Sequence, residues 1–325
     1  MNPFTGSRIA AFALFGITVV SASAVAQTFP QKTIRVIVPT PPGGSIDSTA
    51  RVIADKMQAK WGKAVVIENR PGAGMRIGAE AAARSPADGY TLLVAHDGTM
   101  AINAVAYPDL PYDPQRDFAP LGLVVTIPEA VMVNVRVPAN SISELIAHAK
   151  KEPGQLTHAT GSSATLLALE LFKAMTGVDI RSIPYRGGAP AVTAAIAGET
   201  SMVIADLGTG NAALQSDRIR SLAVTSMTRS KQYPNLATLH EQGVTGYDVN
   251  TWIGFFAPAA TPGDVRAMLE EAIKEAVAMP DVRARLESSA MNVRSGTAEE
   301  MRNLLASDQA KWSKLVTEKN IKIVP

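Results

Sequence analysis

Short apolar, β-branched runs alternate with amphipathic helical stretches along most of this sequence, and that alternation leaves few folds open. "TIRVIV" (33–38) reads as a buried strand. The helical stretch 46–60 follows, with Ile46, Ala50, Ile53 and Met57 at i, i+4, i+7 and i+11, so one face turns inward. "AVVIE" is a second strand, "IGAEAAARS" a short helix, and "YTLLVA" a third strand introduced by the turn residues Asp88-Gly89. The plan then repeats. "SISELIAHAKKEPG" is a helix opened by Ser141, with Glu144 in capping-box position. "LTHAT" is a strand and 164–176 a helix with Ala168, Leu171, Phe172 and Met175 on one face; "RSIPY", "SMVIADL" and "RSLAVTS" complete the second set of strands. Such alternation predicts α/β architecture with mainly parallel sheets flanked by helices. At 325 residues, 46% apolar, the chain suits two lobes rather than one. Two apolar extended segments, 121–135 and 251–258, read as crossings between lobes. They divide the chain into 27–128 plus 251–325 and 129–250, with the helices from about 262 returning to the first lobe.

The strand-to-helix junctions carry the functional signal. In "IVPTPPGGSID" (37–47) a strand meets three prolines and a glycine pair just before a helix opens. In open α/β sheets ligands bind beyond the carboxyl ends of the strands. Gly43 and Gly44 bare backbone N–H groups there, and the helix adds its first N–H groups and the positive end of its dipole. Together they make an anion site without a basic side chain. Ser45 is placed to cap that helix. The plainer alternative is a tight turn that binds nothing. "THATGSSAT" (157–165) repeats the arrangement in the other lobe: Gly161, Ser162, Ser163 and Thr165 are placed to face Gly44 and Ser45 across a cleft. "AHDGT" (95–99) ends a third strand at the same edge, bringing His96 and Asp97 to the cleft wall. Two opposed anion sites suit a ligand with two carboxylates, or one carboxylate plus polar groups.

Residues 1–26 read as a secretory signal: Arg8, a twelve-residue apolar run from Ile9 to Val20, and small residues ending in Ala24-Val25-Ala26. As a helix that run spans only about 18 Å, too short for a membrane anchor. The expectation is an exported, periplasmic, monomeric protein cleaved near Gln27. A net charge of +2 with no basic stripe argues against nucleic acid. Zero cysteines removes disulfides, thiolate zinc sites, cysteine nucleophiles and a lipoprotein anchor.

Competing motifs are weak. "GAGMRIG" (72–78) is one residue too long for a dinucleotide fingerprint. "GTGNAA" (208–213) fits one, but no acidic ribose partner lies near 228. The four histidines, at 96, 148, 158 and 240, lack metal-ligand spacing. No cofactor or metal is expected. Trp252 reads as hinge packing rather than a stacking platform. A secreted α/β hydrolase using the same cleft is the alternative to a binding protein, although Gly-x-Ser-x-Gly is missing.

"IVPTPPGGSID", "VVIENRPGAG", "PADGYTLLVA", "LPYDPQRDFAPLG", "IPYRGGAPAVTAAIAGE", "RIRSLAVTS" and "WIGFFAPAATP" resemble, in order, the signatures of the Bug or TctC-type solute-binding proteins of tripartite tricarboxylate transporters. The resemblance implies a two-lobed, type II-like periplasmic binding fold, a small carboxylate ligand and delivery to membrane permease subunits. It implies that the loops matching Pro41–Asp47 and Gly161–Thr165 bind carboxylates, which adds Asp47 to the candidates; Thr40, on the wall beside the first loop, is a further one. It also implies that Asp206 lies in the cleft. Arg186, in "IPYRGG", is a further candidate carboxylate partner. The sequence departs from the family at Thr40, where a bulky residue is usual, at Met75-Arg76 in place of Gly-Asn, and at Leu166-Leu167 in place of a histidine. A more apolar pocket would follow, which tilts the expected ligand toward an aromatic acid such as a phthalate-type dicarboxylate.

Overall fold

The computed structural model describes Met1 and residues 29–318. The segment expected to be a signal sequence, with its expected cleavage site near Gln27, lies outside the described residues. Strand β1 (Ile34–Val38) pairs in parallel with β2 (Val65–Asn69) and β3 (Thr91–His96). Between them lie α1 (Ser45–Trp61) and α2 (Arg76–Ala83), and after β3 the short α3 (Asn103–Ala106). Helix α1 forms where the sequence predicts it. Ile46, Ala50, Ile53 and Met57 are buried, and Gly62 ends it in the left-handed conformation with its N–H on Gln58. Burying each of the larger side chains contributes about 1.5–3 kcal/mol.

Strand β4 (Phe118–Asn134) organises the molecule, and all but one of its seventeen residues are buried. From Phe118 to Pro128 its partner is β9 (Asn250–Pro258), antiparallel; from Glu129 onward it is β7 (Met202–Asp206), with Glu129 opposite Asp206. The partner changes between Pro128 and Glu129. Beyond β7 lie β5 (Thr157–Thr160) and β6 (Arg181–Pro184), both parallel, and β8 (Ile219–Val224) pairs with β4. The strand order is β2-β1-β3-β9-β4-β7-β5-β6. Each half therefore keeps a parallel set of strands, joined by antiparallel seams along the two long crossing strands. Parallel strands need helical crossovers, whereas the chain passes between halves as extended segments that pair antiparallel.

The second half is covered by α4 (Ile142–Lys151), α5 (Ser163–Thr176), α6 (Gly188–Ala197) and α7 (Asn211–Leu214). Only half of the expected capping box at Ser141 forms. Ser141 Oγ accepts the Glu144 N–H, but Glu144 accepts from the Asn140 N–H instead of the Ser141 N–H. Helices α8 (Gly263–Ala278), α9 (Pro280–Glu287) and α10 (Ala298–Glu318), with β10 (Asn292–Gly296), return to the first half; α8 packs on α1 and β4, and α10 on β4. Trp252 is buried at the seam, and its indole N–H donates to Asp308 Oδ2 of α10 at 2.5 Å. Burial raises the Asp308 carboxyl to about 6, although the indole bond opposes the rise.

Candidate functional site

The carboxyl ends of β1, β3, β5 and β7 converge on one cavity where the two halves meet, lined from the first half by Thr40, Pro41, Gly44, Ser45, Ile46, Met75, His96 and Thr251. Asp47 ties the first loop to α1 and β2 through its hydrogen bonds. Burial alone would raise this carboxyl, but hydrogen bonds from Arg51, Asn69 and the Gly43 N–H outweigh it and hold it below the ordinary range. Asn69 also donates to the Thr40 carbonyl, which fixes the other end of the loop. Gly43 sits at φ +98°, open to glycine at no steric cost. Its N–H is committed to Asp47, so Gly43 and Asp47 shape the loop rather than line the cavity. The expected Ser45 cap does not form. Gly44 is the N-cap of α1, while Ser45 donates its N–H to Thr209 Oγ1 and accepts from the same hydroxyl. The reason is tertiary: Thr209 reaches across from the second half.

In that second half Ser162 and Thr165 form a complete capping box at the start of α5. Both line the cavity, together with Ala164, Gly188, Ala189, Ala205, Asp206 and Thr209. Helix α6 begins at Gly188, so the N-termini of α1, α5 and α6 all open onto one space. Gly161 lies just outside it. A Cβ there would stand 2.6 Å from the backbone of Gly187 and Gly188, so this position requires glycine for the α5 and α6 loops to approach. Ser163 Oγ is turned away, within 3.1 Å of the Gly98 carbonyl and 2.5 Å of Asn103 Oδ1. Arg186 is exposed and lines an adjoining groove beside Tyr107 and Tyr185. Leu166 borders a neighbouring groove and Leu167 is buried in the core, so neither of these departures makes the cavity itself apolar.

The cavity floor is acidic, and among the described residues its walls carry no lysine or arginine. Glu129 is 2% exposed and its Oε2 has no hydrogen-bond partner among the described residues; Thr40 Oγ1 is likewise buried and unpartnered there. Burial pushes Glu129 well above the carboxylate range, and Asp97 and Asp206 add to the effect. Asp97 sits behind the wall. One oxygen accepts from Thr251 Oγ1 and the other is unpartnered, and burial raises the carboxyl to about 6. Burial also lowers His96, which is neutral; its Nδ1 accepts the Thr99 N–H at 3.1 Å, so the proton resides on Nε2.

Sequence reasoning had no place for Glu129, Thr209, Thr251 or the α6 N-terminus. The signal for Glu129 was the lone charge in the apolar run "LVVTIPEAVMV". Thr209 lay in the stretch weighed as a nucleotide fingerprint. Met75 also lines the cavity, at φ +72°, which is strained for a side-chain-bearing residue; Thr99 Oγ1 donates to its sulfur at 3.3 Å. Arg76 stacks on Tyr107 at 3.9 Å.

Two α/β halves joined by extended crossings, with a walled cavity between them, define the solute-binding receptors of the periplasmic type. The chain belongs to the tripartite tricarboxylate transporter family receptors, whose family model matches residues 49–321. It is 33% identical to the protein BugT of Bordetella pertussis, over 94% of each chain. Among solved structures it is similar to an R. palustris protein determined with adipate (31% identity, TM-score 0.87, 90% of this chain and 99% of that one). It is also similar to MatC of Rhodopseudomonas palustris with bound malate (28% identity, TM-score 0.85, 89% and 100%).

Proposed function

We propose that this protein is a non-catalytic periplasmic receptor that closes on a small dicarboxylate and presents it to membrane permease subunits. The observation that carries this reading is the convergence of three helix N-termini, those of α1, α5 and α6, on one cavity without a basic side chain. Their N–H groups and dipoles favour an anion. The relatives described with adipate and malate support the ligand class; an aromatic acid of phthalate type belongs in the same panel. Ligand contacts are assigned to Thr40, Gly44, Ser45, His96, Ser162, Thr165 and Asp206. Against the hydrolase reading, His96 Nδ1 is an acceptor, so Nε2 is already protonated and cannot take a proton from a serine.

A ligand that binds only the folded state adds about 2.7 kcal/mol at a hundred times Kd. For about 300 residues that raises the melting temperature by roughly 4 °C. In a thermal-shift panel, adipate, malate, succinate or phthalate is expected to give that rise, while the matching diamides and dimethyl esters give none. Esters that stabilise as well as the acids would remove the anion reading.

We assign the lobes as 29–128 with 251–318, and 129–250, hinged where β4 changes partner. The cavity has room for about 40 Å³, a few waters. The Ser45–Thr209 bonds close it, and Gly187 approaches Pro41 so nearly that an added Cβ would stand 2.8 Å from the ring. A dicarboxylate therefore enters only when the lobes part. Small-angle scattering is expected to show a smaller radius of gyration at saturating ligand than without it. An equal radius in both states would rule out hinge closure.

A further inference from the structure

Two cavity residues, Asp206 and Glu129, carry chemistry that runs against an anionic ligand, and of these Glu129 is the fully buried one. It lies at the centre of the molecule, on β4, where the strand passes from β9 to β7. Its backbone is clamped by Thr225, which receives the Glu129 N–H at 3.0 Å and donates its own N–H back to the Glu129 carbonyl at 2.9 Å. The side chain is thus held in the cavity floor with Oε2 buried and unpartnered. The titratable groups around it are Asp206 opposite on β7, Asp97 and neutral His96 at the end of β3, and the Tyr247 hydroxyl. Asp308 of α10 stands behind Asp97. None supplies a positive charge. An ionised Glu129 would repel a carboxylate and leave a buried anion unpaired, whereas a neutral carboxyl offers an O–H donor to the same space.

Resting on the carboxylate reading above, we propose that Glu129 faces the cleft as a neutral carboxylic acid and donates its O–H to the ligand's carboxylate. It is then a specificity residue that couples capture of the anion to a retained proton. No proton is transferred: it stays on Glu129 and bridges two carboxyl groups. Ligand binding is therefore lost when Glu129 ionises, in addition to any effect on the ligand's own charge.

The test has two arms. The first is an infrared titration of the ligand-free protein above pH 7, where Asp97 and Asp308, raised only to about 6, have ionised. A protonated-carboxyl band is expected in the wild type and not in Glu129→Gln. The second arm is calorimetry with adipate, succinate and phthalate across the same range. Wild-type affinity is expected to fall about tenfold per pH unit as the band disappears. Glu129→Gln keeps an N–H donor, so it is expected to bind with a flat pH profile. The infrared arm without a band would overturn the proposal whatever the ligand. A band together with pH-independent wild-type affinity would overturn the donor role alone. A band with no carboxylate bound at any pH would sink the carboxylate receptor reading, and the donor role with it.

Discussion

Gly44→Val is expected to weaken dicarboxylate binding ten- to a hundredfold while the protein stays folded. Gly44 has φ −88°, which any residue adopts, and a Cβ there would lie 3.6 Å from Thr209 Oγ1, an ordinary contact. The backbone and the first carbon are therefore tolerated. The two further methyl groups of valine must occupy either the cavity or the space of the Thr209 hydroxyl, which holds Ser45 across the cleft. Losing one charge-assisted hydrogen bond to an anion costs roughly 1.5–3 kcal/mol. Calorimetry on the variant, after circular dichroism has shown native secondary structure, measures it. Wild-type affinity in that folded variant would take the first loop out of the site. The same substitution at Gly161 gives a different result, because its Cβ meets backbone of the α6 loop and destabilises the second half itself.

The sequence made the α/β plan legible because it is local. The spacing of Ile46, Ala50, Ile53 and Met57 specifies which face of α1 turns inward, and the structure buries those residues. The glycine and hydroxyl residues at the strand ends likewise marked both loops that meet at the cavity. Direction and distance were not legible. Asp47 and Asp97 stand at those same strand ends, but one is turned back onto Arg51 and Asn69 and the other onto Thr251. No local pattern says which way a carboxylate points. Glu129 and Asp206 are paired by register between strands far apart in sequence. Thr209 matters because it spans to Ser45, and its own neighbourhood resembled something else. Met75 shows the reverse: the departure from glycine was legible, and the structure supplies the consequence, a side chain in a left-handed conformation at the cavity wall.

His158 should make the protein lose stability on acidification more steeply than a variant without it. The side chain is fully buried between β5 and β7. Its Nε2 accepts the backbone N–H of Ile204 at 2.9 Å, so Nδ1 carries the proton and meets Thr160 Oγ1 at 2.9 Å. A second proton would have to displace the Ile204 N–H and leave a buried cation. Burial accordingly lowers the imidazole from its ordinary 6.5 to about 3. The unfolded state binds that proton through the interval from about 6.5 down to about 3 while the folded state does not, so stability rises with pH there and is lost as pH falls. A gap of about 3.5 pH units, at about 1.4 kcal/mol per unit, sets an upper bound on the order of 5 kcal/mol. Asp97 and Asp308, each raised to about 6, act with the opposite sign between about pH 4 and 6, because there the folded state holds the extra protons. The wild-type profile alone therefore mixes both. His158→Gln retains an acceptor for Ile204 and leaves those carboxyls in place, so the difference between the two proteins isolates the imidazole. Urea unfolding at pH 7 and pH 4 is expected to narrow the wild type's stability advantage by several kcal/mol at the lower pH. Parallel pH profiles for the two proteins would mean that His158 accepts its proton without opening the β5–β7 seam.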